Sequence, residues 1–331
     1  MPRYRVLAVV VGILLLSGVS TATVGASSSK GSGETKGTIA MMFPNANQPI
    51  VVRVLDVAKQ EAAKRGYKFI VSDPGNDLNK QIGVINTWIQ QKVDAIESVA
   101  AEPQVYEKVA AQARKAGIVW VTYAAKLKNE DATVTWPHDK GGFLLGQEAG
   151  RWINANSAKL GDKAKIALIT FEQGDWSRQR RQGIEAGLKS TASGKYEIVN
   201  KQDSLTAPGA QQIVSTVLQA HPDLNAVLCV IDTPCEGAYQ ALRNEGHAAN
   251  DPKLFVGGLD GTPQAFSLIQ QGSFYRASAA LSLSRIGRAV VDAPADILEK
   301  HVKKDAIVPY ELLTRRVPAK LKAYQADWKA K

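Results

Sequence analysis

Short apolar runs alternate along this chain with longer segments in which apolar residues recur every three to four positions. The clearest of the longer segments carries Ala210, Ile213, Val214, Val217 and Leu218, which share one face of a helix. The short runs have the length and the flanking turn residues of β-strands. The pattern therefore predicts strands and amphipathic helices in regular alternation, which is typical of right-handed parallel crossovers.

Taken in order, the pattern predicts eleven strand-like segments separated by helices. The predicted strands are 38–43, 67–71, 94–99, 118–123, 133–136, 166–170, 196–199, 226–231, 254–256, 274–279 and 306–313. The predicted helices are 50–65, 79–91, 103–116, 141–153, 177–188, 210–218, 234–245, 263–271 and a longer one that carries Ile286, Val290, Val291 and Leu298, before a polar tail. Two successive β/α sets of similar size predict an α/β fold with two Rossmann-like lobes, each with a parallel sheet. The cleft between them is the expected ligand site.

One strand of the second set ends in a carboxylate. Leu254 to Val256 are apolar, glycines follow, and Asp260 precedes Thr262-Pro263, which has the form of a helix start. Ligands of open α/β sheets bind at the carboxyl ends of the strands. On this stretch alone, Asp260 is either a ligand contact or a residue that fixes the turn.

The amino terminus differs from the rest of the chain. Arg3 and Arg5 precede an apolar run over 6–16 and small residues through Ala26, which is typical of a secretory signal. We expect a signal peptide over 1–26 and a flexible leader over 27–37. An uncleaved membrane anchor is the alternative.

Charge and cysteine content narrow the function further. The net charge is +10, but the basic residues are dispersed and no nucleic-acid-binding motif is present, so we expect no nucleic-acid partner. Cys229 and Cys235 are the only cysteines. An extended strand would hold them too far apart for a disulfide, so two reduced, packed thiols are expected.

Sequence signatures of catalysis are absent. The chain has no P-loop, no G-x-G-x-x-G after a strand, no G-x-S-x-G and no H-E-x-x-H. Its four histidines are scattered, and no pair of carboxylates is set apart by spacing. We therefore expect no enzyme, no cofactor and no metal.

With its export signal and two α/β lobes, the chain resembles the periplasmic sugar-binding proteins of ABC importers, especially the ribose binders. The stretches that carry the resemblance are Thr38-Ile39-Ala40, Asn47-Gln48-Pro49, 58–67, Ala220-His221-Pro222-Asp223 with Ala226-Val227, and Gly258-Leu259-Asp260-Gly261-Thr262-Pro263. The resemblance implies the type I periplasmic binding protein fold. Its lobes are joined by a three-strand hinge, with crossings near His138, Ala280 and Val308.

The resemblance also implies boundaries and partners. The N-terminal lobe would be 38–138 plus 281–307, and the C-terminal lobe 139–280 plus 308–331. Such proteins are monomers that close around a small-molecule ligand and present both lobes to an ABC permease. With no cysteine near the signal to carry a lipid, we expect a soluble periplasmic protein.

Several site residues carry over by position. Asp260 matches an aspartate that accepts hydrogen bonds from sugar hydroxyls, and Arg180 matches an arginine that reaches the ligand from the second lobe. Gln48 and its neighbour Asn47 match polar contacts of the first lobe. Asp232 matches an acidic neighbour of the ligand. A donor-only guanidinium and an acceptor-only carboxylate suit a polyol.

Other positions depart from the family pattern. Ile50 and Val51 replace the aromatic pair that sandwiches a sugar ring, and Ala124-Ala125 replace an Asp-Arg pair. The remaining replacements are Ile231, Ala280 and Leu205. Ribose itself is therefore not the expected ligand, and a bulkier or less polar one would fit.

Three aromatic residues could replace the lost stacking contacts. They are Trp176, Trp136 and Tyr123, for each of which core or inter-lobe packing is the alternative. Arg178, Arg180 and Arg181 at one helix start would also suit an anionic ligand. The same protein could instead serve a chemoreceptor or sensor kinase, or act as an envelope enzyme on a small glycoside.

Overall fold

The computed structural model describes residues 35–44, 46–100 and 102–329, and these form two six-stranded sheets. The first sheet has the order β11-β5-β4-β3-β1-β2 and the second β12-β10-β9-β8-β6-β7. The first contains β1 Thr38–Met42, β2 Lys68–Ser72, β3 Ala95–Val99, β4 Val119–Tyr123, β5 Ala132–Thr135 and β11 Ala306–Ile307. The second contains β6 Ala164–Thr170, β7 Tyr196–Asp203, β8 Leu224–Cys229, β9 Phe255–Asp260, β10 Tyr275–Ala280 and β12 Glu311–Thr314.

Helices connect the strands. They are α1 Pro49–Arg65, α2 Leu78–Gln90, α3 Pro103–Lys115, α4 His138–Asn156, α5 Asp175–Ala192, α6 Ala207–Ala220, α7 Asp232–Asn244, α8 Pro263–Gln270, α9 Leu283–Lys300 and α10 Pro318–Lys329. All strand pairs are parallel except β10 with β12. The predicted α/β fold with two parallel-sheet lobes is confirmed.

Local sequence explains where several helices begin and end. The hydroxyl of Thr262 accepts a hydrogen bond from the backbone N–H of Ala265 at 3.1 Å, and Pro263 occupies the first turn of α8. Helix α1 ends at Gly66, whose φ of +83° is one that glycine adopts without strain. The Thr262-Pro263 helix start predicted from the sequence is therefore confirmed.

The chain passes from one sheet to the other after β5, after β10 and after β11. Helix α9 follows the second passage and packs against α1, which places it on the first sheet. The predicted lobe bounds stay a prediction. The predicted signal peptide over 1–26 and residues 27–34 of the predicted leader lie outside the described residues.

The predicted single strand over 306–313 is wrong, because it consists of two strands in different sheets. Ala306 pairs in parallel with Val134 of the first sheet, while Leu312 pairs antiparallel with Ala279 of the second. Pro309 lies between them and breaks the run. The predicted polar tail is also wrong, since 318–329 forms α10, with Leu321 and Tyr324 buried.

The expectation of two reduced thiols is contradicted as well. Cys229 and Cys235 form a disulfide, with their Cα atoms 5.6 Å apart. The chain does double back, because β8 ends at Cys229 and α7 begins at Asp232. The first turn of α7 therefore returns Cys235 to the end of the strand, which the assumption of an extended segment did not allow.

Candidate functional site

Asp260 is the last residue of β9 and has a left-handed backbone, with φ +89°. A non-glycine residue seldom adopts this conformation, and Gly261 continues it with φ +86°. Such strain persists where the surroundings enforce it, and it concentrates at functional sites. The backbone thus turns the Asp260 carboxylate to the carboxyl-terminal edge of the second sheet.

Arg180 on α5 holds that carboxylate. Its Nη1 donates to Asp260 Oδ2 at 3.0 Å, and its Nη2 lies 2.8 Å from Asp260 Oδ1. The guanidinium also donates to the Val230 carbonyl at 2.8 Å, to the Tyr310 hydroxyl at 2.7 Å and to His138 Nδ1 at 3.1 Å. Arg180 therefore donates four hydrogen bonds to protein partners, while Asp260 Oδ1 is buried next to it and accepts no hydrogen bond among the described residues.

The charges of this network follow from its surroundings. Burial lowers the pKa of Arg180, but the Asp260 carboxylate and Tyr310 outweigh it and raise that pKa overall, so the guanidinium stays charged. Burial, and then the charge of Arg180, lower the pKa of His138 to about 3. His138 is therefore neutral near pH 7, which allows its Nδ1 to accept a hydrogen bond.

Glycines bring α5 close enough to α4 to place Arg180. A Cβ atom on Gly142 would lie 1.9 Å from the Arg180 carbonyl oxygen, and one on Gly183 would lie 2.1 Å from the Asp139 carbonyl oxygen. Only glycine permits this contact between helix backbones. The position of Arg180 thus depends on glycine at these positions of both helices, because a Cβ atom at either one would force the helices apart.

A cavity of about 210 Å³ lies between the two sheets, next to Asp260. Its second-sheet side is formed by Arg180 and Asp260. The other residues come from the first sheet's side and from the start of α9; they are Phe43, Gln48, Ile50, Val51, Val54, Tyr123, Trp136, Leu281, Leu283 and Ile286. The cavity is thus polar on one side and largely apolar on the other.

A larger cavity of about 370 Å³ lies elsewhere, beside Phe255 and Tyr275. These residues begin β9 and β10, so the cavity is at the amino-terminal ends of the strands. Ligands of open α/β sheets bind at the opposite ends. We therefore place the candidate site at the smaller cavity. Five of the site residues predicted from the sequence line it, namely Gln48, Tyr123, Trp136, Arg180 and Asp260.

The aromatic residues predicted to contact a ligand form part of a row of rings. Tyr123 lies between Phe43 and Trp136, with ring centroids 5.2 Å and 5.4 Å away, and Trp136 is followed by His138 at 6.0 Å. Trp136 Nε1 is buried and has no hydrogen-bond partner among the described residues. Tyr123 and Trp136 line the cavity, whereas the ring of Trp176 covers the Arg180 guanidinium at 4.9 Å.

The predicted polar contacts of the first lobe lie at the start of α1. Gln48 is the residue before the helix, is exposed and lines the cavity. Asn47 is exposed beside it. Gln48 therefore offers an amide to a ligand from the wall opposite Asp260.

Asp232 lies behind the site. It is fully buried and accepts hydrogen bonds from the backbone of Gly261 at 2.7 Å and Thr262 at 3.1 Å, and from the hydroxyls of Tyr275 and Ser278, each at 2.7 Å. Burial raises its pKa to about 7. In this arrangement Asp232 fixes the turn that presents Asp260.

The other arginines of the helix start are already paired. Arg181 Nε lies 2.7 Å from Glu172 and its Nη1 lies 3.0 Å from Glu185, while Arg178 contacts Asp175. Their charges are balanced by carboxylates of the same helix and the preceding turn. The cluster that suggested an anionic ligand thus contributes only Arg180 to the cavity.

Sequence reasoning missed two residues that hold Arg180. His138 begins α4, and Tyr310 lies between β11 and β12, which is 130 residues from Arg180. Neither has a local sequence signal, because each contact depends on how the chain returns between the sheets.

Residues 35–44, 46–100 and 102–329 contain no group of three or more His, Cys, Asp or Glu side chains that could hold a metal ion. Among the same residues, no helix is both long enough and apolar enough to cross a membrane.

Comparison with known proteins supports the family suggested by the sequence. The ribose import binding protein of Bacillus subtilis is 29% identical over 283 residues, which cover 84% of this chain and 88% of that protein. The D-apiose import binding protein of Paraburkholderia graminis is 25% identical over 256 residues, which cover 74% and 76%.

Solved structures show the same fold. An ABC transporter solute binding protein from Bacillus halodurans with bound myo-inositol superposes with a TM-score of 0.74 at 22% identity, covering 89% of this chain and 100% of that one. The family model described as a periplasmic binding protein domain matches residues 39–301. This match spans more than half of the chain, and the chain therefore belongs to the periplasmic binding protein domain family.

Proposed function

We propose that this protein captures a sugar or a related polyhydroxylated molecule between its lobes and delivers it to an ABC permease. The observation that carries the proposal is the position of Asp260 at the cavity. Its backbone is strained, and its carboxylate, a hydrogen-bond acceptor, is oriented by Arg180. The family match and the names of the relatives, which are import binding proteins for ribose and D-apiose, support it.

Each residue of the site has a separate task. Asp260 accepts hydrogen bonds from ligand hydroxyls, and Arg180 pairs with its carboxylate and orients it. Gln48 contacts the ligand from the opposite lobe. Tyr123 and Trp136 pack against its ring.

The lobes, 38–138 plus 281–307 and 139–280 plus 308–331, act as a hinged monomer that closes on the ligand. The closed form presents surfaces of both lobes to the permease. The protein performs no catalysis and needs no cofactor. It is exported by its amino-terminal signal and works in the periplasm.

Two measurements test the binding function. Mass spectrometry of the small molecules released by denaturing freshly purified protein should identify a sugar or polyol. Tryptophan fluorescence should then respond to that compound, because Trp136 lines the cavity and Trp176 covers Arg180. A folded protein that responds to no member of a broad carbohydrate and polyol panel would overturn the proposal.

A further inference from the structure

The two sides of the cavity differ in polarity more than a fully hydroxylated sugar requires. The first-sheet side and the start of α9 contribute seven side chains without a polar atom, among them Ile50, Val51, Leu283 and Ile286. Val51 is 5% exposed and Ile286 is 3% exposed, so both side chains are anchored in the hydrophobic core and present only apolar atoms to the cavity. A ligand in contact with this wall loses hydration and gains no hydrogen bond from it.

The polar groups that remain for a ligand are few. Arg180 lines the cavity, but its N–H groups face His138, Val230, Tyr310 and Asp260. The available groups are therefore the Asp260 carboxylate, the Gln48 amide, the Tyr123 hydroxyl and the Trp136 Nε1–H.

A count of hydrogen bonds limits the ligand. Every hydroxyl both donates and accepts, so a buried hexopyranose with five hydroxyls calls for roughly ten hydrogen bonds. A site with four polar side chains leaves several of them unmade. Each unpartnered buried hydroxyl weakens binding on the order of ten- to a hundredfold.

We propose that the ligand is a small cyclic solute with hydroxyls along one edge and an apolar group on the other, such as a deoxysugar or an alkyl-bearing sugar. This inference rests on the proposed function and names the class of sugar. The hydroxyl edge faces Asp260 and Gln48, and the methyl or methylene edge packs on Val51 and Ile286. The cavity of about 210 Å³ suits a single ring.

Matched sugar pairs that differ by one hydroxyl test the inference. We would titrate the protein by calorimetry with D-galactose and 6-deoxy-D-galactose, D-glucose and 6-deoxy-D-glucose, and L-mannose and 6-deoxy-L-mannose. In every pair that binds, the deoxy member should bind at least tenfold more tightly. Equal or tighter binding of the fully hydroxylated member would overturn this inference and leave the proposed function standing.

Absence of binding by all six sugars at millimolar concentration would also overturn this inference. It would leave the proposed function standing, because that function also admits pentoses and polyols, and mass spectrometry of the released ligand would then decide it. A polyol with a hydroxyl on every carbon, recovered from the protein, would overturn the inference alone.

A pair of variants on α1 locates the apolar contact. Val51→Thr adds one hydroxyl to the cavity wall, whereas Val52→Thr adds it to a side chain that is 43% exposed. Val51→Thr should reduce the preference for the deoxy sugar several-fold, and Val52→Thr should leave it unchanged. An unchanged preference in a folded Val51→Thr variant would contradict the assignment of the wall, and the wild-type titrations test the inference if that variant does not fold.

Discussion

A single guanidinium links the ligand-facing carboxylate to the rest of the protein. Arg180 is 4% exposed, and it contacts Asp260, Tyr310 and His138, which belong to three separate parts of the chain. A buried charge is tolerated only when it is paired and hydrogen-bonded. Arg180 therefore has a structural role as well as a role in orienting Asp260.

The Arg180→Ala substitution should reduce stability and binding together. It leaves Asp260 without its counter-charge and the Tyr310 hydroxyl and Val230 carbonyl without their donor, so we expect a loss of about 3 kcal/mol in unfolding free energy. Urea denaturation measures this loss, and calorimetry should show weaker ligand binding. The control is Arg181→Ala on the same helix, whose ion pairs with Glu172 and Glu185 are partly exposed and contribute at most about 1 kcal/mol. Equal losses in both variants would refute this role.

Glu97, in the first sheet, is a buried carboxyl group without a hydrogen-bond partner among the described residues. It lies fully buried on β3 between Met41 and Val121 of the neighbouring strands. Burial raises the pKa of Glu97 well above its ordinary value of 4.5. The folded protein thus holds this proton to a higher pH than the unfolded chain does.

The Glu97→Leu substitution should stabilise the protein, and more so at higher pH. The pKa of Glu97 is raised only in the folded state, so the unfolding free energy of the wild type falls as pH rises from about 4.5 towards that raised pKa. The leucine variant has no titrating group at this position and lacks this contribution to the pH dependence. We expect a gain of about 1–3 kcal/mol at pH 8 and less at pH 5, measured from urea midpoints. The control is Glu197→Leu on β7, which is exposed.

A gain for Glu97→Leu that is constant across this pH range would contradict the raised pKa. A loss of ligand binding in the same variant would instead identify Glu97 as a ligand contact.

Individual residues could be predicted from the sequence where a local motif carried them. Asp260 followed from a strand, a glycine turn and a capped helix, all within ten residues. Asp232 was also predicted as a site residue. Its position behind the turn could not be predicted, because it depends on Tyr275 and Ser278, which are more than 40 residues away. The disulfide was missed because the chain past Cys229 was assumed to stay extended, whereas α7 begins at Asp232.

The close packing of α4 against α5 determines where the arginine enters the cleft. Gly142 and Gly146 on α4 face Gly183 and Gly187 on α5, and a Cβ at any of them would lie within 2.4 Å of a backbone oxygen. This contact spacing cannot be relaxed by rotating a side chain. The two helices must move apart if one glycine is replaced.

The Gly142→Ala substitution should therefore displace Arg180. We expect a loss of at least about 2 kcal/mol in unfolding free energy from the overpacking, together with weaker ligand binding. The matched control is Gly83→Ala on α2, where a Cβ meets nothing within 4 Å. Because alanine favours a helix, this control should gain about 0.5–1 kcal/mol. A stable Gly142→Ala variant with normal binding would show that this helix contact does not position the site.

Elements were predictable where apolar periodicity was long and unbroken. The crossover strands and helices of both sheets appear at the expected places, with boundaries shifted by a few residues. The prediction of one strand over 306–313 was wrong because two short strands of different sheets share one apolar run. One of them pairs in parallel and the other antiparallel. Helix α10 was overlooked although Leu321, Tyr324 and Trp328 recur at i, i+3 and i+7, because polar residues separate them along the chain.

On the scale of the whole molecule, the site and the inter-sheet connections share residues. Tyr310 accepts a hydrogen bond from Arg180 and lies in the third passage between the sheets, while Leu281 lines the cavity from the second. A ligand that contacts Asp260 and Gln48 touches both lobes. Its binding energy therefore favours whichever lobe arrangement brings the two residues together.

Binding of the cognate solute should make the protein more compact. The radius of gyration from small-angle X-ray scattering should fall on ligand addition, because contacts to Gln48 of one lobe and Asp260 of the other stabilise the closed arrangement. At a ligand concentration one hundred times the Kd, the unfolding free energy should also rise by about 2.7 kcal/mol. The control is Asp260→Ala with the same ligand, which should change in neither measurement. Scattering curves that coincide with and without ligand, while the thermal shift confirms saturation, would mean that the lobes bind the solute without closing, and the hinge would then have no part in delivery to a permease.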